Sequence, residues 1–168
     1  EWSVIQAGVV QRDKALNAFM ADVYGPGEII SAGVIPASLV MENSAFEPRL
    51  VGVKPNGGVF SHIIGVDLVR VSENEHYVLE DNCRTPSGVS YMLQNREIMM
   101  RLAPDLFETY PVAPVEDYPI ALLRALESTA PQNLPGRPNV VVLTPGVLNS
   151  AYYAHTILAE DSSGNTRA

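Results

Sequence analysis

Apolar residues recur at the spacing of an amphipathic helix in four stretches of the chain. The pattern predicts helices over residues 8–24, 88–102, 118–130 and 147–159. The first should end at Tyr24-Gly25-Pro26-Gly27, because glycine and proline disfavour continuation of a helix. Residues 28–41 are apolar but interrupted by proline and predict no regular element, and residues 104–118 form a predicted proline-rich connector.

A β-hairpin is predicted between about Ser61 and Asn82. Its turn signal, Ser72-Glu73-Asn74-Glu75, separates two segments rich in valine and leucine. If the turn is symmetric, Asp67 faces Glu80, and Asn82 lies on the same face, because side chains alternate along a strand. The remaining pairs predicted by this register are Gly65 with Asn82, Val69 with Val78 and Val71 with His76.

The end of this hairpin carries a cluster of acidic residues that has no structural role in a sheet. Asp67 and Glu80 would repel each other across the ladder, and a divalent cation between them would reverse the sign of that interaction. Oxygen ligands from Asp67, Glu80 and Asn82 suit a hard ion, Mg²⁺ first and Mn²⁺ second. The hairpin end is therefore a predicted metal site, and the alternative is a solvated acidic edge.

Arg84 follows Asn82 by two residues and is within reach of the same site. A planar guanidinium matches the oxygens of phosphate or of an acyl phosphate, so Arg84 is a candidate for binding such a group. The alternative is that Arg84 only neutralises Asp81.

A second arrangement lies in the last third of the chain. The continuous apolar run over residues 139–143 is typical of a strand buried on both faces, and Thr144-Pro145-Gly146 follows it. With a helix beginning at Val147, the free N–H groups of this turn form a potential anion site, although most such turns bind nothing. On that helix His155 is predicted to be packed and hydrogen-bonded rather than catalytic. Residues 131–138 hold several prolines and form a predicted linker.

Composition narrows the function classes. The formal net charge of −8 argues against a nucleic-acid-binding or anionic-membrane-binding basic surface. No apolar run reaches the length of about 18 residues that a membrane span needs. Cys83 is the single cysteine, which fits a reducing, cytoplasmic compartment, and nearby acidic residues should disfavour its thiolate.

The acidic residues of the hairpin also carry a family resemblance. Asp67 followed by Glu80-Asp81-Asn82 resembles the magnesium motif of ATP-grasp carboxylate–amine ligases, and Asn82-Cys83-Arg84 is similar to its extension in the biotin-carboxylase branch. Over residues 2–159 the chain is similar to circularly permuted ATP-grasp proteins of the glutathionylspermidine-synthase-like type. The segments that carry this likeness are Gln11-Arg12, Ala15-Leu16-Asn17, Asp22-Val23-Tyr24, Gly65 to Arg70, Val78 to Arg84, Pro86 to Tyr91, Leu143 to Gly146 and Asn149 to Tyr152.

The resemblance implies an α/β (α+β) fold in two parts. Residues 1–130 would be the metal-binding part of a permuted ATP-grasp domain with an antiparallel hairpin metal site. Residues 139–159 would be the first strand and helix of a Rossmann-like pre-ATP-grasp domain. Residues 160–168 are polar and without periodicity, and they form a predicted tail that departs from the family. Asp67, Glu80 and Asn82 would hold Mg²⁺ or Mn²⁺, and Arg84 would stabilise the transferred phosphoryl group. The residues expected to bind substrate or phosphate are Ser87, Gly88, Thr144, Gly146 and Asn149.

The function implied is an ATP-dependent ligase that joins a carboxylate to an amine through an acyl phosphate. The substrates would be small molecules or peptides, and no oligomeric state is predicted. Members of the family continue into lysine-bearing, glycine-rich strands, whereas this chain has two lysines, so it is expected to be an incomplete portion that is inactive alone. The alternatives are a metal-dependent phosphohydrolase, with His76 as the nearby base, and a noncatalytic module of the same fold.

Overall fold

The computed structural model describes residues 1–84 and 86–162 of the chain. Its first element is a long helix, α1 (Trp2–Val23). The helix predicted over residues 8–24 is confirmed, although it begins earlier. It ends at the predicted glycine- and proline-rich stop. There the backbone turns so tightly that a Cβ on Gly25 would lie 2.5 Å from the carbonyl oxygen of Ala21.

The chain divides into two units, Glu1–Pro86 and a second that begins at Ser87, and each is described here by itself. The domain assignment of residues 1–130 and 139–159, with a linker at 131–138, stays a prediction. No helix in the part of the chain that the structure describes is long and apolar enough to cross a membrane.

Short helical segments follow α1 in the first unit. They are α2 (Glu28–Ser31), α3 (Ala37–Met41) and single 3₁₀ turns at Pro48–Leu50 and Asn56–Gly58. The start of α2 is capped from the preceding helix, because the Asp22 carboxylate accepts hydrogen bonds from the N–H groups of Glu28 and Ile29, both at 2.9 Å. The apolar stretch over residues 28–41, for which no element was predicted, thus contains two helical turns.

The hairpin consists of β1 (Gly65–Ser72) and β2 (Glu75–Asn82), which pair antiparallel. Its strands begin later than the predicted start at Ser61, and its turn has the predicted position. Asp67 pairs with Glu80, and Gly65 pairs with Asn82. The pairings on which the predicted metal site depends are therefore confirmed.

The middle of the hairpin differs from the predicted register. The pairing skips Leu79 on β2 and Val71 on β1, so that between these two residues the strands are displaced by one position. The predicted pairs of Val69 with Val78 and of Val71 with His76 are wrong. The pairs formed there are Leu68 with Val78, Val69 with Tyr77 and Arg70 with His76. Because one residue is skipped on each strand, the two shifts cancel, and the open end recovers the symmetric register.

Asn17 fastens α1 to the segment that leads into the hairpin. Its side-chain oxygen accepts hydrogen bonds from the backbone N–H groups of Phe60 (2.9 Å) and Ser61 (3.0 Å), and its amide group donates to the Ser61 carbonyl at 3.1 Å. The Ser61 hydroxyl in turn donates to the carbonyl oxygen of Cys83 at 2.9 Å. Tyr24 stacks on the ring of Phe60, with the ring centres 5.8 Å apart. One helix residue thus organises the chain on both sides of the hairpin.

The described part of the second unit contains four helices. They are α4 (Val89–Leu102), α5 (Pro104–Thr109), α6 (Tyr118–Glu127) and α7 (Tyr152–Ser162). The helices predicted over residues 88–102 and 118–130 are confirmed, whereas the connector predicted over 104–118 contains α5. Helix α7 packs on α4 and α6, with Ile157 and Ser90 each 1% exposed and the Ser90 hydroxyl donating to the Ala154 carbonyl at 2.8 Å.

The strand predicted over residues 139–143 is not formed. A strand needs a partner for its backbone N–H and C=O groups, and no described segment pairs with this run. Four of its five residues are exposed instead, with Leu143 88% exposed. The strand prediction for this run is therefore wrong, and the assignment of the run to a Rossmann-like domain stays a prediction. Helix α7 begins at Tyr152 rather than at Val147 and continues to Ser162, and residues 163–168 of the predicted tail lie outside the described residues.

We predict that Asn17→Ala lowers the free energy of unfolding by about 1–3 kcal/mol, because the N–H groups of Phe60 and Ser61 lose their acceptor. Equilibrium urea denaturation would measure the change. Asn95→Ala is the matched control, since Asn95 is exposed on α4 and the substitution alters helix propensity equally. Equal unfolding midpoints for the two variants would contradict the role assigned to Asn17.

Candidate functional site

The three predicted metal ligands come together at the open end of the hairpin. The Asn82 amide group donates to Oε1 of Glu80 at 3.1 Å and lies 3.5 Å from Oδ2 of Asp67. All three side chains are exposed, so a dissolved ion has access to them. The amide group compensates part of the repulsion between the two carboxylates, which explains how the ladder tolerates them.

The donor set is composed of oxygen ligands. Among the described residues no group of three His, Cys, Asp or Glu side chains is placed to hold a metal ion, and here the third ligand would be an amide. Two carboxylates and one amide oxygen are ligands that Mg²⁺ accepts, with water completing the coordination. To offer its oxygen, the Asn82 amide must turn over, because its N–H group faces the carboxylates.

Gly65 provides the space for this arrangement. A Cβ at this position would lie 2.9 Å from the Cβ of Pro86 and 3.6 Å from the Cβ of Asn82. Any larger residue would have to displace Pro86, because contacts below 3.0 Å are not tolerated between such atoms. The absence of a side chain at Gly65 thus accommodates Pro86, whereas the distance to Asn82 is that of an ordinary contact.

An ion pair lies beside the predicted ligands. Arg12 on α1 donates two hydrogen bonds to the Asp81 carboxylate, from Nε to Oδ1 at 2.7 Å and from Nη2 to Oδ2 at 2.6 Å. The hydrogen bond from Arg12 holds the pKa of Asp81 below its ordinary value, and the same bond raises the pKa of Arg12. Arg12, and not Arg84, is thus the partner of Asp81. Sequence reasoning missed this pair, because 69 residues separate its members and no local pattern connects them.

Two further titratable groups lie near this ion pair. The pKa of Asp13 is raised, first by burial of the carboxyl group and then by the charge of Asp81. The pKa of the Cys83 thiol is raised by burial and by the neighbouring carboxylates of Asp81 and Asp13. The thiolate is therefore disfavoured, as the sequence predicts, and Cys83 is a poor nucleophile.

Arg84 is exposed just beyond the end of β2. Among the described residues no carboxylate lies within ion-pair distance of its guanidinium group. The planar guanidinium group of Arg84 is therefore available to bind an anion from solution. Its role in phosphate binding stays a prediction.

Ser87 and Gly88 belong to the second unit, where they precede α4. Gly88 has a φ of 96°, a left-handed conformation that favours glycine, and its carbonyl oxygen accepts from the N–H group of Met92 at 3.0 Å. Their proposed contact with a substrate carboxylate is a prediction, and their local structure is that of a helix start.

Thr144, Gly146 and Asn149 form a turn that precedes α7. The Thr144 hydroxyl accepts from the Gly146 N–H group at 3.4 Å, and the Asn149 side chain accepts from the Ala151 N–H group at 2.9 Å. Since α7 begins at Tyr152, the prediction that a helix begins at Val147, directly after this turn, is wrong. Binding of phosphate or substrate by these three residues stays a prediction.

His155 lies on α7, part-buried, as predicted for a packed histidine. The predicted hydrogen bond is not seen at Nδ1, which is buried and lacks a partner among the described residues.

Comparison with known proteins gives a consistent result. A family model described as "a circularly permuted ATPgrasp" matches residues 1–165. An uncharacterized protein of Synechocystis sp. is 48% identical over 160 residues, which are 95% of this chain and 33% of the relative. One from Mycobacterium tuberculosis is 48% identical over 159 residues, or 95% of this chain and 29% of the relative.

A protein of Frankia casuarinae, provisionally named glutamate–cysteine ligase 2-2, is 34% identical over 160 residues, which are 95% of this chain and 18% of the relative. The chain thus spans a third or less of the length of these relatives.

We predict that Asp13→Asn raises the melting temperature at neutral pH. The pKa of Asp13 is higher in the folded than in the unfolded state, so its ionised form costs stability above the folded pKa. That cost disappears as the pH falls below the unfolded pKa, and the melting curves of variant and parent should then converge.

Calorimetry at a series of pH values would measure the difference. The control is Glu108→Gln, which removes an exposed carboxylate on α5 and should not change the melting temperature. A melting temperature lowered by Asp13→Asn at neutral pH would show that the Asp13 carboxylate stabilises the fold.

Proposed function

Since the chain belongs to the circularly permuted ATP-grasp family, we propose that it forms the cation- and phosphate-binding part of an ATP-dependent carboxylate–amine ligase. The observation that carries the proposal is the convergence of Asp67, Glu80 and Asn82 at the end of the hairpin. The ligase name of the Frankia casuarinae relative supports the same reaction class. From the resemblance to glutathionylspermidine-synthase-like proteins we assign only that class and no particular substrate.

In this proposal Asp67, Glu80 and Asn82 hold Mg²⁺, with Mn²⁺ as a substitute. Such an ion supplies positive charge that neutralises the phosphate oxygens of ATP during phosphoryl transfer. The two carboxylates contribute the charge that attracts the ion, and the amide contributes a neutral oxygen. The side chains are exposed, so they are reachable by a nucleotide as well as by the ion.

The reaction consists of two substitutions. An oxygen of the substrate carboxylate attacks the γ-phosphorus of ATP, ADP leaves, and an acyl phosphate forms. The amine then attacks the acyl carbon, phosphate leaves, and the nitrogen loses a proton to give the amide. In both steps the protein acts chiefly by holding the reactants and stabilising charge.

Arg84 is assigned to the phosphoryl group. Its guanidinium group is exposed, and its fork matches two oxygens of a phosphate. Ser87 and Gly88 are assigned to the substrate carboxylate, through backbone N–H groups at the start of α4. Thr144, Gly146 and Asn149 are assigned to phosphate or substrate. A reducing, cytoplasmic location belongs to the same proposal.

The phosphohydrolase alternative requires a base near the metal ligands. The only histidine on the hairpin, His76, pairs with Arg70, and its Nε2 atom lies 3.5 Å from a carboxylate oxygen of Glu1. This contact gives the His76 ring an acidic partner immediately before α1. His76 is therefore a poor candidate for the base, which supports the ligase proposal over the phosphohydrolase.

We predict that Glu80→Gln abolishes Mg²⁺-dependent turnover in the complete protein, because a charged ligand is lost. The melting temperature should stay the same or rise, since the glutamine oxygen can still accept from Asn82 while the repulsion with Asp67 is removed. The measurement is ADP release that requires both a carboxylate and an amine substrate.

Glu73→Gln is the matched control, because Glu73 is exposed in the turn at the other end of the hairpin. ADP release that Glu80→Gln leaves unchanged would refute the metal site. Phosphate release from ATP without an amine would support the phosphohydrolase. A complete protein that binds Mg²⁺ and ATP without turnover would indicate a noncatalytic module.

We predict that Arg84→Ala lowers kcat roughly a hundredfold, as expected for the loss of a group that stabilises developing charge. The melting temperature should not change, because Arg84 is exposed and has no ion-pair partner among the described residues. Steady-state kinetics of the complete protein would measure the effect. Arg124→Ala, on the exposed side of α6, is the control, and equal kcat values for both variants would remove Arg84 from the site.

A further inference from the structure

Two of the proposed cation ligands flank a residue that is bound to α1. Glu80, Asp81 and Asn82 are consecutive on β2, and their pairing with β1 is regular at all three positions. Because side chains alternate along a strand, Asp81 points to the face opposite Glu80 and Asn82. The exposure agrees, since the Asp81 side chain is 13% exposed whereas Glu80 and Asn82 are exposed.

The bond between Asp81 and Arg12 restrains the strand in orientation as well as in position. Both carboxylate oxygens are held by two nitrogens of one planar guanidinium, at 2.7 and 2.6 Å. A bidentate pair of this kind defines the plane of the carboxylate, which a single hydrogen bond does not. The rotation of β2 about its own axis is thereby limited at the residue between the two ligands.

The end of this hairpin needs such a restraint. The described part of the chain contains a two-stranded sheet, and such ribbons twist more freely than larger sheets. The pairing also skips Leu79, immediately before Glu80. A bulge bends its strand and increases the local twist, so the ladder alone does not define where the Glu80 side chain points.

A second attachment lies on the other side of Asn82. The carbonyl oxygen of Cys83 accepts from the Ser61 hydroxyl at 2.9 Å, and the backbone of Ser61 is held by Asn17 on α1. Asn82 is thus bracketed by two residues that are both tied to the same helix. Of the two attachments, only the one at Asp81 lies between Glu80 and Asn82.

We propose that Arg12 is a positioning residue for the cation site. Its two hydrogen bonds to Asp81 fix the orientation of β2, so that Glu80 and Asn82 converge with Asp67 on one ion. This inference rests on the proposed function, because it concerns the same three ligands. Arg12 also neutralises the one carboxylate of the hairpin end that does not face the ion. The Arg12–Asp81 ion pair thus supports, from the opposite face of β2, the side chains that would bind the cation.

The experiment is an Mn²⁺ titration of the 168-residue chain, with paramagnetic broadening of the backbone amide signals of the hairpin as the readout. We expect Arg12→Gln to weaken Mn²⁺ binding about tenfold, the effect typical of removing a partner that orients metal ligands. Arg12→Lys keeps the charge but not the fork, so its affinity should fall between those of parent and Arg12→Gln.

Arg49→Gln is the matched control. Arg49 holds Glu47 with the same bidentate geometry, at 2.8 and 2.7 Å, in the same unit, but neither residue adjoins a proposed ligand. Its Mn²⁺ affinity should equal that of the parent. If Arg12→Gln folds and binds Mn²⁺ within about twofold of the parent, the inference is overturned. If Arg12→Gln does not fold, parent-like affinity in Arg12→Lys overturns it equally.

A double-mutant cycle tests whether Arg12 acts through Asp81. Asp81→Asn should weaken Mn²⁺ binding by itself, and adding Arg12→Gln to it should weaken binding no further. A purely structural contribution would lower the melting temperature without this pattern in affinity. Additive losses would show that Arg12 acts by another route and would overturn the inference.

Glu80→Gln in the same titration separates this inference from the proposed function. If Glu80→Gln loses Mn²⁺ binding while Arg12→Gln keeps it, the cation site stands and only the role of Arg12 is refuted. If the parent shows no broadening at Asp67, Glu80 and Asn82, the cation site is refuted, and the role of Arg12 falls with it.

Discussion

The ion pair between Arg12 and Asp81 connects the first helix to the end of the hairpin, where the chain's candidate chemistry is concentrated. Both oxygens of Asp81 are bound, at 2.7 and 2.6 Å, and the side chain is largely shielded from water. The pair joins segments 69 residues apart, so it restricts the hairpin in a way that no local contact does. The positions of Glu80 and Asn82 follow from that restriction.

Negative charge at this end is balanced by different means on the two faces of the strand. On the helix side a guanidinium group neutralises Asp81, and the pKa of that carboxyl group is held low. On the exposed side an amide bridges Asp67 and Glu80 without neutralising them. The negative charge of Asp67 and Glu80 therefore faces solvent, where it can attract a cation. The same charge, together with burial, disfavours the thiolate of Cys83.

The sequence predicted the ends of the hairpin better than its middle. Asp67 pairs with Glu80 because the turn lies where Ser72 and Glu75 predict it, and Leu79 and Val71 are skipped on opposite strands. Neither skipped residue carries a local signal, since valine and leucine fit a regular strand equally well. In the second unit the apolar run over 139–143 satisfies the pattern of a buried strand, yet it forms none, because no described segment supplies the pairing.

The sequence by itself determined the long first helix, the hairpin turn and the choice of Asp67, Glu80 and Asn82 as candidate oxygen ligands. These depend on periodicity and turn chemistry within a few residues, and such short-range preferences act wherever the segment occurs. The tertiary structure alone decided that Arg12 binds Asp81, that Asn17 organises Ser61, and that α7 begins at Tyr152. Those outcomes depend on which distant groups become neighbours after folding, because a charge or an amide finds its partner through packing rather than through sequence spacing.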